Sequence, residues 1–203
     1  MDKFLMQYYE PIRNMFLILG IKNVTMDNIC SELGISKRTL YEKFDTKSQL
    51  VNEIFQQDFY EFKNKLTSVN MGTNNAVYES YLLFKIISEK QKTISTTVFL
   101  DLKRFHNHFF NRTSVLINQV IFAQLLAIIR HGVIDGDFRE DSEASDIADI
   151  IVFIFNSIYT TAVYNTGITL ASISFENLLN YHLHSICTLQ GLKRWEEIKE
   201  QLR

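Results

Sequence analysis

An all-α fold, with a small helix-turn-helix domain followed by a larger helical bundle, is what this sequence predicts, and three observations carry the prediction. The 203 residues include one proline and seven glycines, too little punctuation for the many turns of a β fold and suited to long helices. Apolar residues make up 46% of the chain, ample for a core. The stretch VTMDNICSELGISKRTLYEKFDTKSQL, Val24 to Leu50, sets three helix starts in close succession. At the usual helix length the chain holds about nine to ten helices, with residues 1–48 as the first domain and residues 49–203 as the second.

The first helix is expected from about Phe4 to Leu19, packing Met15, Phe16 and Leu19 beneath the next two helices and ending at Gly20. Pro11 either begins that helix proper or bends it, because an interior proline removes a hydrogen bond and clashes with the preceding turn. Thr25 can cap the second helix, with Val24 and Ile29 spaced as a hydrophobic staple. Gly34 stands where a left-handed residue would end that helix and turn the chain. Ser36 can cap the third, with Ile35 and Leu40 as its staple, and Thr46 with Gln49 forms a capping box for the fourth. Ile29 and Leu33 are one turn apart, as are Leu40 and Phe44, which gives each helix an inward stripe. Facing outward are Lys37, Arg38, Thr39, Tyr41 and Lys43, donors of the kinds that reach base edges and phosphates.

These residues closely resemble the DNA-binding domain of the tetracycline-repressor (TetR) family of one-component transcription regulators. The shared pattern is a glycine, a Thr-started helix, a Gly-x-Ser turn, the Thr-Leu-Tyr-x-x-Phe recognition helix of Thr39–Phe44 and a following lysine, Lys47. It covers about the first quarter of the chain; beyond it, only length and helical layout agree.

Charge distribution fits specific DNA binding better than charge-driven coating. The whole chain has a net charge of −2. Residues 1–50 hold seven basic and six acidic side chains, a net of +1, and residues 51–203 hold the remaining −3. Ser36–Lys47 carries four basic residues against two acidic ones, so the positive field is confined to the recognition segment. Cys30 and Cys187 fit no metal or redox spacing, and Cys30 is expected in the core. MDKFLMQYYE lacks a cleavable leader's pattern and a basic minor-groove arm. The most apolar segment, DIADIIVFIFNSIYTTAVY, is interrupted by Asp146, Asp149 and Asn156 and falls short of a membrane span. The expectation is a cytoplasmic protein without a membrane partner.

Farther along, a helix from Lys47 should run to near Ser68 on Leu50, Ile54, Phe55, Phe59 and Phe62. Others are expected at about Ala76–Glu89, at TTVFLDLKRF (96–105), at about Asn111–Arg130 after a bend at HNHFF, at about Glu143–Tyr164 and at about Ser174–Gln190. Asp141 or Ser142 can cap the Glu143 helix, which stops near Gly167. The tail GLKRWEEIKEQLR adds a charged helix that touches the body through Trp195 and Ile198. The Glu143–Tyr164 segment is apolar on two sides, so it is buried on two sides.

What the resemblance implies is a homodimeric regulator, expected to repress, that binds double-stranded operator DNA and is released by a small, mostly apolar effector. The sign of regulation depends on where the operator lies. Lys37, Arg38 and Thr39 are expected nearest the bases, with Thr25, Ser36, Tyr41, Lys43 and Lys47 on the backbone. An effector pocket is expected among Phe99, Leu102, Phe105, Phe122, Phe155 and Tyr159, against the alternative that these aromatics are core. Ile151, Ile154, Ile158, Leu179, Leu183 and Ile186 resemble the family's four-helix dimer interface. His106 with His108, and His182 with His184, point to opposite sides of a helix and have no completing ligands, so no metal and no cofactor is expected. No catalytic constellation is evident and an enzyme is not expected. A second reading is a helical ligand-sensing dimer without specific DNA binding.

Overall fold

The computed structural model describes residues 3–69, 75–141, 143–164 and 174–202. Ten helices occupy them: α1 Lys3–Leu19, α2 Met26–Leu33, α3 Lys37–Tyr41, α4 Lys47–Thr67, α5 Ala76–Thr93, α6 Thr96–Phe105, α7 Asn107–Ile134, α8 Ala144–Tyr164, α9 Phe175–Ile186 and α10 Leu189–Gln201. Among the described residues there is no strand, and the sole β-type pairing is an antiparallel bridge between Phe138 and Cys187. The chain forms two compact units, Met1–Phe62 with Gln91–Val115, and Lys63–Lys90 with Leu116–Arg203.

In the first unit, α1 runs unbroken through Pro11. Pro11 is exposed, so the Gln7 carbonyl that its missing N–H leaves over can be hydrated. The buried stripe is Leu5, Tyr9, Ile12 and Phe16, whereas Leu19 is 52% exposed and does not pack as expected. The following residues explain this: Gly20 has φ +83° and turns the chain away before Leu19's side can be covered. Around α1 close Val24, Ile29, Leu40, Phe44, Leu50 and Ile54, joined by Val98 and Leu102 of α6. Arg13 reaches Asp58 of α4 at 2.8 Å, both largely buried.

Helix starts follow their local signals. Thr25 Oγ1 accepts from Asn28 N at 3.1 Å and Asn28 Oδ1 accepts from Thr25 N at 2.9 Å, a reciprocal box. Ser36 Oγ accepts from Thr39 N, and Thr46 Oγ1 from Gln49 N, each at 3.1 Å. Gln49 reaches back one residue farther than a regular box, its Oε1 accepting from Asp45 N at 3.0 Å. Replacing Thr25 by alanine is expected to destabilise the first unit by about 1 kcal/mol, read by chemical denaturation followed by circular dichroism; a loss below a third of that would mean that the cap carries no weight.

The second unit is built on α5, α8 and α9 with most of α7. Phe84 of α5 meets Phe155 of α8 edge-on at 5.1 Å and stacks on His182 of α9 at 5.3 Å. Leu125, Ile128 and Ile129 of α7 complete the core. By length and composition α7, rather than α8, could cross a membrane. Asn118, Gln119 and Gln124 interrupt it, and Leu125, Ile128 and Ile129 are buried in the unit's own core.

Two boundaries differ from expectation. Helix α7 begins at Asn107 rather than Asn111, because the bend is a single residue, His106, at φ −129° and ψ 38°. The break between the last long helix and the tail helix falls at Cys187 and Thr188, earlier than the expected end near Gln190. Cys187 is extended at φ −71° and ψ 148°, its neighbours paired with the 137–139 turn through Arg139 N to Ile186 O at 2.7 Å and Thr188 N to Asp137 O at 2.8 Å. Thr188 then caps α10. The fully buried Asp137 accepts from Gln190 and Arg194, fixing α10 to that turn. A Cβ at Gly191 would lie 2.2 Å from the Asp137 carbonyl oxygen, so only glycine fits this approach. Trp195 and Ile198 are buried as expected. The expected cap at Ser142 and helix end at Gly167 lie outside the described residues.

Candidate nucleic-acid interface

The recognition segment is assembled from three short-range devices over one buried floor. Helix α2 ends at Gly34, left-handed at φ 64° and ψ 30°, whose N–H returns to the Cys30 and Ser31 carbonyls. Ile35 N also bonds the Cys30 carbonyl, at 3.1 Å. The chain re-enters a helix at Ser36, and α3 is only five residues long. Leu40 and Phe44 pin it from below, 0% and 5% exposed, against Ile29 and Val24. Lys37, Arg38, Thr39, Tyr41 and Lys43 all lie exposed on the other side.

The basic side chains of α3 are engaged with acids the sequence reading passed over. Lys37 Nζ is 2.7 Å from Asp27 Oδ2, and Arg38 Nε is 2.7 Å from Glu42 Oε1. The Arg38–Glu42 pair could have been found from its four-residue spacing; the Lys37–Asp27 pair crosses the turn and has no such signature. The Asp27 hydrogen bond, followed by its charge, raises the Lys37 pKa, so the lysine stays fully charged at any physiological pH. Both pairs are open to solvent and exchange readily for phosphate. Asp27→Asn is therefore expected to raise DNA affinity several-fold at low salt, with the gain shrinking as salt screens it; weaker binding by this variant would mean that Asp27 orients Lys37 for contact.

Three other expected contacts are occupied locally. Thr25 Oγ1 lies 2.6 Å from Asn28 Oδ1, and Ser36 Oγ lies 2.8 Å from Thr39 Oγ1. Lys47 Nζ donates to the carbonyls of Ile21 and Lys22, in the turn between α1 and α2. The side chains expected around an effector are described unit by unit. Leu102 belongs to the core of the first unit, Phe99 meets Phe110 edge-on at 5.0 Å, and Phe105 is 52% exposed. Phe105 lines a groove of about 390 Å³ with Ser48, Asn52, His106, Phe109 and Arg112. Phe122 and Phe155 lie in the second unit, and the Tyr159 side chain lies outside the described residues.

The residues expected at a dimer interface are mostly buried within the chain itself. Ile151, Ile158, Leu179, Leu183 and Ile186 are 0–7% exposed and fill their own unit's core, with Ile154 half-buried. Among the described side chains of α8, Ile150 and Phe153 are 58% and 71% exposed, and on α9 Tyr181 is 69% exposed. The buried face of α8 is Ala148, Ile151, Phe155 and Ile158, which periodicity alone did not separate from its neighbours. His182 is buried and His184 exposed, and among the described residues no three His, Cys, Asp or Glu side chains gather as a metal group.

A capped helix, a left-handed glycine turn and a five-residue recognition helix with outward basic and polar side chains define a helix-turn-helix DNA-binding transcription regulator. Residues 13–54 match the family of bacterial regulatory proteins, tetR family. The N-terminal domain is thus one of the tetR-family regulatory type. Solved structures agree in fold. A transcriptional regulator from Cytophaga hutchinsonii is 17% identical with TM-score 0.73, covering 92% of this chain and 100% of its own. A TetR transcription regulator from Haloarcula marismortui is 17% identical with TM-score 0.72, covering 90% and 97%. The ketosteroid transcriptional regulator KstR2 of Mycobacterium tuberculosis is 16% identical with TM-score 0.60, covering 93% and 97%. Comparison with curated proteins gives no match.

Proposed function

We propose that this regulator is a cytoplasmic repressor that binds a pseudo-palindromic operator as a homodimer and is released by a small, mostly apolar effector. The observation that carries the operator reading is the exposed row Lys37, Arg38, Thr39, Tyr41 and Lys43 over the buried Leu40 and Phe44. Residues 1–48 are the DNA-reading domain in this proposal. Lys37, Arg38 and Thr39 reach base edges in the major groove, and Tyr41 and Lys43 hold the backbone. Two such helices reach half-sites about one helical turn, roughly 34 Å, apart. The outward Ile150 and Phe153 on α8 support a subunit contact. Release follows if the effector binds better to a state in which α6 has shifted, and effector and operator then weaken each other's binding reciprocally. The chain carries out no catalysis in this reading.

Salt-dependent binding to DNA from immediately upstream of its own gene tests the proposal. Wild type should outcompete unrelated DNA and lose affinity steeply with salt. Lys37→Ala and Tyr41→Ala should each bind about ten- to a hundredfold more weakly, the worth of one good contact. Equal binding to unrelated DNA would favour a ligand-sensing dimer that does not read DNA sequence.

A further inference from the structure

The turn between α1 and α2 is held from two sides by side chains of α4 and α6. Gly20 enters it at φ +83°, and a Cβ there would meet Thr97 Cγ2 at 3.2 Å and Asp101 Oδ2 at 3.5 Å, so α6 lies directly on the turn. Asp101, 8% exposed, accepts from Lys22 N at 2.8 Å through Oδ2. On the carbonyl side, Lys47 Nζ donates to Ile21 O and Lys22 O. One peptide segment is thus bonded by a carboxylate from α6 at its amide and by an ammonium from α4 at its carbonyls. Burial lowers the Lys47 pKa and the Asp101 charge acts against that lowering, as expected for opposite charges sharing the turn.

We propose that Lys47 and Asp101 are positioning residues that clamp the Gly20–Asn23 turn and set the pose of α2 and α3, with Lys47 acting through the turn instead of on a DNA phosphate. Three features of the site support this. The Lys47 ammonium already spends donors on two carbonyls. Asp101 is an anion, buried, and unsuited to touching DNA. Val24, the staple residue that seats α2, follows the turn directly, so a turn that loosens carries the helix-turn-helix with it. The clamp also links α6 to the reading helices through one hydrogen bond, since moving α6 pulls on Lys22 N. This last point rests on the operator-binding reading above.

Lys47→Met keeps the aliphatic stem and removes the ammonium; Asp101→Ala removes the acceptor. Two measurements on the full chain decide the matter. In DNA titrations over a range of salt, the clamp predicts that Lys47→Met weakens operator binding about tenfold, with the slope of log affinity against log salt unchanged. A phosphate contact predicts a slope shallower by about 0.9, and that outcome overturns the proposal, as does unchanged affinity. In hydrogen exchange, the Lys22 amide should lose about tenfold or more of its protection in both variants, and retained protection overturns the clamp. If Asp101→Ala does not fold, Lys47→Met carries both readouts alone. If wild type shows no preference for the upstream DNA, the operator reading fails while hydrogen exchange still decides the clamp.

Discussion

Leu40→Ala is expected to destabilise the first unit by about 2–5 kcal/mol and to abolish operator binding with it. Helix α3 has five residues and cannot persist by its own hydrogen bonds, since nucleating so short a helix is unfavourable in water. Its position depends on one fully buried side chain, Leu40, the sole buried residue of the helix. Truncation removes the contacts with the Ile29 and Phe44 floor and leaves a cavity beneath the DNA-reading face, where the surrounding short helices can relax only in part. Chemical denaturation followed by circular dichroism measures the loss, with Thr39→Ala on the exposed side of the same helix as the comparison. A Leu40→Ala loss below about 1 kcal/mol would show that the floor is formed by Phe44 and Ile29 alone.

Acid should weaken the second unit through His182, and replacing that residue should remove the effect. The imidazole is 1% exposed, stacked on Phe84, and its Nε2 has no hydrogen-bond partner among the described residues. Desolvation by burial pushes its pKa down to about 4 from 6.5. Because the folded state holds the proton less tightly than the unfolded state, the native advantage is complete above pH 6.5. It is lost as pH falls toward 4, by about 3 kcal/mol in all. His131 behaves oppositely: its hydrogen bond to Glu79 raises its pKa. Its contribution is complete below about pH 6.5 and lost as pH rises through the raised value. The two windows lie on either side of 6.5, so they separate cleanly. Denaturation followed by the fluorescence of Trp195, the chain's one tryptophan and buried in this unit, gives stability at each pH. His182→Phe should flatten the profile between pH 4 and 6.5 and, by deleting an unpaired buried nitrogen, add about 1–3 kcal/mol at neutral pH. An unchanged acid slope in this variant would place the titration on other groups.

How far the sequence reached depended on the range of the forces involved. The caps at Thr25, Ser36 and Thr46 were legible because each bond spans three residues. Gly34 was legible because its left-handed conformation is a property of one residue. Helix α6 could be placed at Thr96–Phe105 from the segment TTVFLDLKRF itself. The outward row from Lys37 to Lys43 followed from fixing Leu40 and Phe44 inward. The resemblance of the first domain to the TetR family followed from these local signals together.

Allocation of side chains between neighbours required the tertiary structure. Lys47 is drawn to a turn 26 residues before it, and Asp101 to an amide 79 residues before it. Leu102 is apolar wherever it packs, and periodicity alone cannot say that it joins the core of α1–α4 rather than a ligand pocket. The same limit explains α8, where burial of Ile151 and exposure of Ile150 depend on which stripe α5 and α9 cover. The break at Cys187 has no local breaker and arises from pairing with Phe138. The sequence by itself determined the helix-turn-helix, its caps and its reading face, because those rest on bonds closed within a turn or two. Tertiary structure alone decided which apolar side chains of α8 are core and which lysine is spent inside, because both outcomes depend on partners brought together from distant parts of the chain.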